Sequence, residues 1–535
     1  MSVDVRGWVA VTRTWRWHLK ALALIVVSQV AFGAAFSVPR PYATIQEACD
    51  AAASGDRILV SAGEYVLTEP VDFNRLHRPG DPSSPPLKNL GLISYDGSTR
   101  TILRWSSESG NPGARGALVF AKGEDGSSYV EGFTIDGGDE ASPGGNGSPS
   151  HVSGIVCSHS SPMFRDVRIV SCGEPAVVLE ASSSLLSECT IANNRCSAVA
   201  VREESSASLE YCTLDANEGC GEGGGLDADS SSVTLVDCTI TRNQAFGEEG
   251  GGGIVCSGGE LILERCTLMG NLARSGGALC LWEAEAVLTN CVLVGNHSLQ
   301  GGGAVRIGHA AKLGMTNCTV ANNSALFEGT MACDDGDRNA GAFTNCIFWA
   351  NEPGGTCGET LYCACGSLSF CGTSEDPRFT KEGIFDFTRP FPDYVVDAGV
   401  YSLRHDSPYI DVGTNQGAPK DDIDAVARPC GARVDQGAFE FCSRRFRRGD
   451  TNGDGLIDIA DPIHLLYWLW SDPWNPQWCF EAWDANDDGM INLADPIRVL
   501  SLLFARGAPL PAPFPECGWD ETRDKLTCRE SRACQ

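Results

Sequence analysis

Two twelve-residue segments carry the densest concentration of chemistry in the chain. Residues 450–461 read Asp-Thr-Asn-Gly-Asp-Gly-Leu-Ile-Asp-Ile-Ala-Asp, and residues 484–495 read Asp-Ala-Asn-Asp-Asp-Gly-Met-Ile-Asn-Leu-Ala-Asp. Both place side-chain oxygens at positions 1, 3, 5, 9 and 12, with Gly at position 6 for a sharp turn and Ile at position 8. Calcium takes six to eight hard oxygen ligands, and this spacing wraps a loop around one ion. The expected side-chain ligands are Asp450, Asn452, Asp454, Asp458 and Asp461 in the first loop, and Asp484, Asn486, Asp488, Asn492 and Asp495 in the second. The carbonyls of Leu456 and Met490 fill position 7. Acidic turns seldom duplicate such a pattern, and here it recurs after 34 residues, so two Ca²⁺ ions are expected.

Each loop leads into a short helix, over 462–470 with Ile463, Leu466 and Tyr467 as its apolar face, and over 496–504 with Ile497, Leu500 and Phe504. Proline suits the first helical turn. Two such helices enclose little apolar area, so metal is expected to contribute folding energy. Cys479 lies between them, and Cys517, Cys528 and Cys534 fix the tail.

Other candidate groups are scattered. Asp136, Asp139, Asp227, Asp229, Asp334, Asp335 and Asp337 are the conspicuous acids outside the loops, and the Gly-rich segment 136–150 beside His151 and His159 could border a groove. A glycosidase needs two suitably placed carboxylates, and a lyase needs a basic proton abstractor. The sequence groups none of these residues into a catalytic cluster. With 69 Asp and Glu against 40 Lys and Arg, the chain is a poor partner for nucleic acid, whose backbone demands basic groups.

What must position any site is a repeat. Cys189, Cys212, Cys238, Cys266, Cys291, Cys318 and Cys346 each open a Cys-Thr-Ile-like triplet, 23, 26, 28, 25, 27 and 28 residues apart. Apolar residues flank a mostly Thr middle position, which is the period of a strand. An Asn follows each Cys by five residues: Asn194, Asn217, Asn243, Asn271, Asn296, Asn323 and Asn351. Apolar groups such as Leu209, Leu235, Leu263, Leu288 and Met315 precede the triplets, with another short strand before them. Each coil therefore holds about three strands and no helix, a solenoid with variable loops. Stacked coils would align the Asn side chains about 4.8 Å apart as an amide ladder, and Asn would also suit a left-handed turn there. The stacked cysteines are expected to remain reduced, as small buried hydrophobes. The 61 glycines serve tight bends and close coil contacts.

At the start, Thr44-Ile45-Gln46-Glu47 reads as a capping box on a short helix that plugs the solenoid. At the far end, 401–410, 422–424 and 434–440 read as a closing cap, with Cys430 and Cys442 candidates for pairing, and Cys357, Cys363, Cys365 and Cys371 crowd one loop. Arg13, Arg16 and Lys20 precede an apolar run over 21–36 that ends in Gly33, Ala34 and Ala35. This reads as an export signal over 1–35. No later stretch is apolar enough to span a membrane, so no stable span is expected in the mature chain.

The opening Tyr42-Ala43-Thr44-Ile45-Gln46-Glu47-Ala48 and the close Val434-Asp435-Gln436-Gly437-Ala438-Phe439-Glu440 resemble bacterial exported right-handed parallel β-helix repeat proteins of the pectin-lyase-like superfamily. That resemblance spans 36–441 and implies an all-β solenoid; its members include lyases, hydrolases, epimerases and proteins without known reaction. Residues 442–506 read as a calcium-binding domain, of which 450–506, with loops ending in Asp461 and Asp495, resembles a type I dockerin. The resemblance implies attachment to a cohesin-like partner through the helices and loop positions 10 and 11, here Ile459, Ala460, Leu493 and Ala494. Residues 507–535 form a Cys-containing extension. The expectation is a secreted or surface protein, noncatalytic, binding polysaccharide or matrix and held by a calcium-dependent module. The alternative is a polysaccharide lyase or glycoside hydrolase.

Overall fold

The computed structural model describes residues 33–106, 115–138, 152–248, 250–327, 329–333, 341–351, 366–369, 371–372, 375–442, 445–471, 479–520, 522, 526, 528 and 534. Residues 1–32, Asp139, His151, Asp334, Asp335, Asp337, Cys357, Cys363 and Cys365 lie outside these.

The described residues between 35 and 372 wind into a parallel β-helix. One coil shows the plan: Val199–Arg202, Ser206–Glu210, Thr213–Asp215 and Glu218–Gly219 contribute to sheets of ten, thirteen, eleven and five strands respectively. Five coils thus carry a fourth, two-residue strand beyond the three expected. Every pairing within these sheets is parallel and in register; one interior row runs Ile191, Leu214, Ile240, Leu268, Leu293, Val320 and Phe348. All seven are buried in one continuous core.

The Asn column forms as expected. Asn217 Nδ2 donates to Asn243 Oδ1 at 2.9 Å and to the Ile191 carbonyl at 3.0 Å, and the Asn217 amide donates to the same Asn243 oxygen at 3.0 Å. The pattern continues to Asn351. The left-handed backbone, however, belongs to the preceding residue in each coil: Asn193, Ala216, Arg242, Gly270, Gly295, Asn322 and Ala350 have positive φ. The ladder Asn serves hydrogen bonding, and its neighbour makes the turn.

The stacked cysteines from Cys189 to Cys346 are buried and free. Each thiol lies on carbonyls: Cys238 Sγ is 3.4 Å from both Leu209 O and Val236 O. Burial pushes the thiols of Cys266, Cys291, Cys318 and Cys346 well above the usual range. At Gly252 a Cβ would lie 2.6 Å from the carbonyls of Gly277 and Leu272, so the coil link admits only glycine there.

Helix α1 (Ile45–Ala51) has the capping box, with the Glu47 amide donating to Thr44 Oγ1 at 3.1 Å. Ile45, Ala48 and Cys49 join the core, and the helix packs against the strands Ala35–Val38, Arg57–Val60 and Val71–Asp72. Ala35 already pairs with Arg57 in the first strand.

The segment 375–442 departs from the expected end cap. It lies along the side of the solenoid, on the outward face of the eleven-stranded sheet. Val292, Val294, Ala321 and Ile347 from three consecutive coils pack with Phe379, Tyr401, Leu403, Tyr409, Ala438 and Phe439. The physical reason is a second row of asparagines. Asn290 Nδ2 donates to Asp421 O at 2.7 Å, Asn317 Nδ2 to Asp435 O at 2.9 Å, and Asn345 Nδ2 to Thr414 O at 2.9 Å. These supply backbone partners along the wall, and the segment binds there. Its two hairpin pairings, Phe379–Lys381 with Val400–Leu403 and Ile384–Phe385 with Val395–Asp397, are antiparallel. Cys430 and Cys442 are joined.

Candidate functional site

Helix α2 (Ala460–Ser471), the short α3 (Phe480–Trp483) and α4 (Ala494–Phe504) build the C-terminal module. The two predicted metal loops precede α2 and α4, and they share one fold. In the first, Asp461 accepts from the amides of Thr451 at 2.8 Å and Asp458 at 2.9 Å, and Asp450 accepts from Gly455 at 2.9 Å. In the second, Asp495 accepts from Ala485 at 3.0 Å and Asn492 at 2.8 Å, and Asp484 accepts from Gly489 at 2.8 Å. Asn452 donates to Asp454 and Asn486 to Asp488 in the same way. Asp458 and Asn492 accept from the amides of Ala460 and Ala494. Among the described residues no three His, Cys, Asp or Glu side chains are arranged to hold a metal; the carboxylates turn onto loop amides instead. Asn492 Nδ2 likewise takes the Met490 carbonyl at 3.3 Å.

The donor chemistry nevertheless fits a hard cation. Asp461, Asp484 and Asp495 are fully buried and Asp450 is nearly so. Burial, with Asp450 alongside, pushes the Asp461 carboxyl up to about 6; burial, with Asp484 and Asp488 alongside, does the same to Asp495. Buried carboxylates facing one another are costly unless a positive charge offsets them.

The helices face the opposite way from expectation. Ile463, Tyr467, Ile497 and Phe504 are 58–70% exposed. The module's interior is built from Leu465, Trp483, Phe446 and the disulfide Cys479–Cys528 on one side and Val499, Ala485 and Leu510 on the other. Leu456, Ile459, Ile463, Tyr467 and Trp470 thus form one exposed apolar stripe, and Met490, Leu493, Ile497 and Phe504 repeat it.

A second concentration of polar chemistry lies on the outer wall of the ten-stranded sheet. Its strands point alternate residues outward. One row directed away from the core runs Val156, Val178, Ala200, Asp227, Val255, Cys280 and Arg306, its five apolar members themselves buried; beside it run Ser158, Glu180, Arg202, Asp229, Ser257 and Trp282. Arg202 Nη2 lies 3.4 Å from Asp227 Oδ2, and Arg115 Nη2 lies 2.7 Å from Glu180 Oε1. Asp227 and Asp229 project from one strand on one face. Burial, against the nearby Arg202 and aided by Asp229, raises the Asp227 carboxyl above its ordinary value. The half-buried Trp282 indole lies over Gly308 of the next coil, leaving no room for a Cβ there. Trp282 stands two strands from Asp229, about 10 Å away at the strand spacing. Sequence reading named Asp227 and Asp229 but missed Arg202 and Trp282; the strand register aligns them.

Asp136 ends its strand paired with Arg104, 3.2 Å from Nη1. His159 follows the strand that ends at Ser158, with Nδ1 3.2 Å from the Ser158 hydroxyl. Neither joins the wall pair of Asp227 and Asp229.

Residues 125–284 match the family model for a right-handed β-helix region, which gives the coil its hand. Similar solved structures include a pectate lyase, at 14% identity over 74% of this chain and 90% of that one, with a TM-score of 0.40. A rhamnogalacturonan lyase is 12% identical over 70% and 97%, with a TM-score of 0.40. The A-module of an Azotobacter vinelandii mannuronan C-5 epimerase is 12% identical over 62% and 94%, with a TM-score of 0.34. No curated protein sequence matches the chain.

Proposed function

We propose that this is an exported protein that binds a neutral polysaccharide along the outer wall of its ten-stranded sheet. The C-terminal module takes two Ca²⁺ ions and attaches the protein to a partner through its exposed apolar stripes. The observation that carries the first reading is the row of Glu180, Arg202, Asp229 and Trp282 in register on a single face. Guanidinium and carboxylate groups that already neutralise each other present hydrogen-bonding edges suited to sugar hydroxyls, and an indole fixed against the wall offers a flat surface to a pyranose ring. A net charge of -29 disfavours polyanions over neutral chains.

The attachment reading is supported by the duplicated loops with buried carboxylates, which a divalent cation would neutralise, and by apolar side chains left outward on both helices. The resemblance to a dockerin names a cohesin-like domain as the partner class.

A second reading has its own support. Asp227, with its raised carboxyl, and Asp229 on the same strand set two carboxyl groups side by side, the pair that glycoside hydrolysis uses. One experiment separates the readings. Affinity electrophoresis against neutral and uronate glycans is run beside an assay for new reducing ends. Binding of neutral glycans that falls at least about tenfold in Trp282→Ala and Arg202→Ala, with no reducing ends released, supports the first. Release that disappears in Asp227→Asn supports the second. Full retention of binding in both wall variants overturns the wall assignment.

A further inference from the structure

The two metal loops share their residues at positions 1, 3, 5, 6, 8, 11 and 12 and differ at five others, one of which changes what the loop touches. Position 4 is Gly453 in the first loop and Asp487 in the second. Both have left-handed backbone, with φ of 71° and 62°. Glycine adopts that conformation freely, whereas a side chain is strained there. The second loop therefore retains a residue that its backbone disfavours, and the contacts of Asp487 explain why.

Asp487 Oδ1 accepts from Arg448 Nη2 at 3.0 Å and from Thr522 Oγ1 at 2.5 Å. Arg448 is fully buried. It also donates to the Asp484 carbonyl at 2.6 Å, to the Ala512 carbonyl at 2.9 Å and to Asp520 Oδ2 at 2.7 Å. Asp520 Oδ1 in turn accepts from the Thr522 amide at 2.9 Å. One buried guanidinium thus joins the first residue of the second loop, its position-4 side chain and the C-terminal extension. The neighbouring Trp519 stacks on His405 of the side segment, with centroids 5.2 Å apart and planes at 12°, and approaches Phe441 at 5.7 Å. Asp520, Thr522 and Leu526 close one side of a cleft of about 300 Å³ whose other side carries Arg404, His405 and Glu440.

We infer that calcium in the second loop locks the extension around Trp519 onto the side of the solenoid through Asp487, fixing the attachment module relative to the wall. This rests on the calcium reading above. Drawing the oxygens of Asp484, Asn486 and Asp488 onto an ion would stiffen the backbone on both sides of Asp487, and so hold its carboxylate on Arg448 and Thr522, where it already rests. Linkage makes the effect reciprocal: a loop that orders the extension when loaded binds calcium more tightly when the extension is in place. The first loop, with Gly453, has no side chain to transmit the same effect.

The test is hydrogen exchange by mass spectrometry on the full chain, with and without calcium, beside calorimetric counting of bound ions. Amides over 517–522 are expected to exchange at least about tenfold more slowly with calcium. Asp487→Gly restores the glycine of the twin loop and relaxes the backbone. It should still bind two ions, with weaker affinity at the second loop, and lose the calcium-dependent protection. Two ions bound with no change in exchange over 517–522 overturns the inference, as does full protection in Asp487→Gly. A count of zero ions overturns the calcium reading and this inference with it.

Discussion

Asn243 sits in the middle of a column in which every amide is both donor and acceptor. Its Oδ1 receives Asn217 Nδ2 and the Asn217 amide, and its Nδ2 reaches Asn271 and the Leu214 carbonyl. It is fully buried, so Asn243→Ala removes four hydrogen bonds away from water, two accepted by its Oδ1 and two donated by its Nδ2. The expected cost is about 2–4 kcal/mol, read as a lower urea midpoint by circular dichroism with the sheet signal otherwise native. Substitution of the exposed Arg242 by Ala should cost far less, within about 1 kcal/mol, since it removes only a surface ion pair with Asp215. At this scale the ladder was legible in the sequence, because five-residue spacing from Cys to Asn never varied while the loops did. The left-handed turn was placed one residue late. Asn is the residue type that suits both roles, and only the backbone separates them. Arg202 and Trp282 carried no signal of their own. Each became conspicuous when parallel register set it beside residues 22 or more positions away in the chain.

At the scale of elements, the side segment was recognised as a closing unit but assigned to the wrong surface. The missed signal is the tripeptide Thr-Asn-Cys, present at 289–291, 316–318 and 344–346. The earlier triplets have Glu188, Tyr211, Asp237 or Arg265 at the middle position. A change from charged or aromatic residues to Asn in three consecutive coils marks where the wall is buried under another layer. That layer carries a charge imbalance. Arg428 donates to Glu440 at 2.7 Å, and Asp435 and Asp422 stand close by, all four nearly inaccessible. Burial pushes Asp435 up to about 7 and Asp422 up to about 6. A carboxyl whose folded value exceeds its ordinary 3.8 favours the fold when protonated. Its contribution is complete below about pH 4 and disappears as pH rises to about 7. With calcium in excess, so that the loop carboxylates do not contribute, the melting temperature should fall between pH 5 and pH 8. In Asp435→Asn most of that slope should vanish; an unchanged slope would assign it elsewhere.

For the molecule as a whole, the solenoid was predictable because a single pattern recurs seven times, and each recurrence tests the last. The side segment and the orientation of α2 and α4 were not, because apolar residues on a short helix look alike whether they face a core or a partner. The continuous interior predicts how thiols report on unfolding. Cys189 through Cys346 stack in the middle of the coil with no access from outside. Maleimide labelling should leave these seven unmodified in the native protein at pH 8. All seven should react in the same denaturant interval in which the sheet signal is lost, as parts of one cooperative unit. Rapid modification of Cys238 or Cys266 under native conditions would contradict the packing described.

The side segment reaches back across more than a hundred residues, Asn317 bonding to Asp435 and Thr319 to Ala438. A chain that emerges amino end first stacks its coils in order, each on a finished template, until Val292, Val294, Ala321 and Ile347 wait uncovered. Their cover is synthesised only after the coils are complete, ahead of the C-terminal module. A product interrupted before this segment would therefore retain a nearly complete coil with a sticky flank, so the side segment acts as a receipt that the solenoid has been delivered whole.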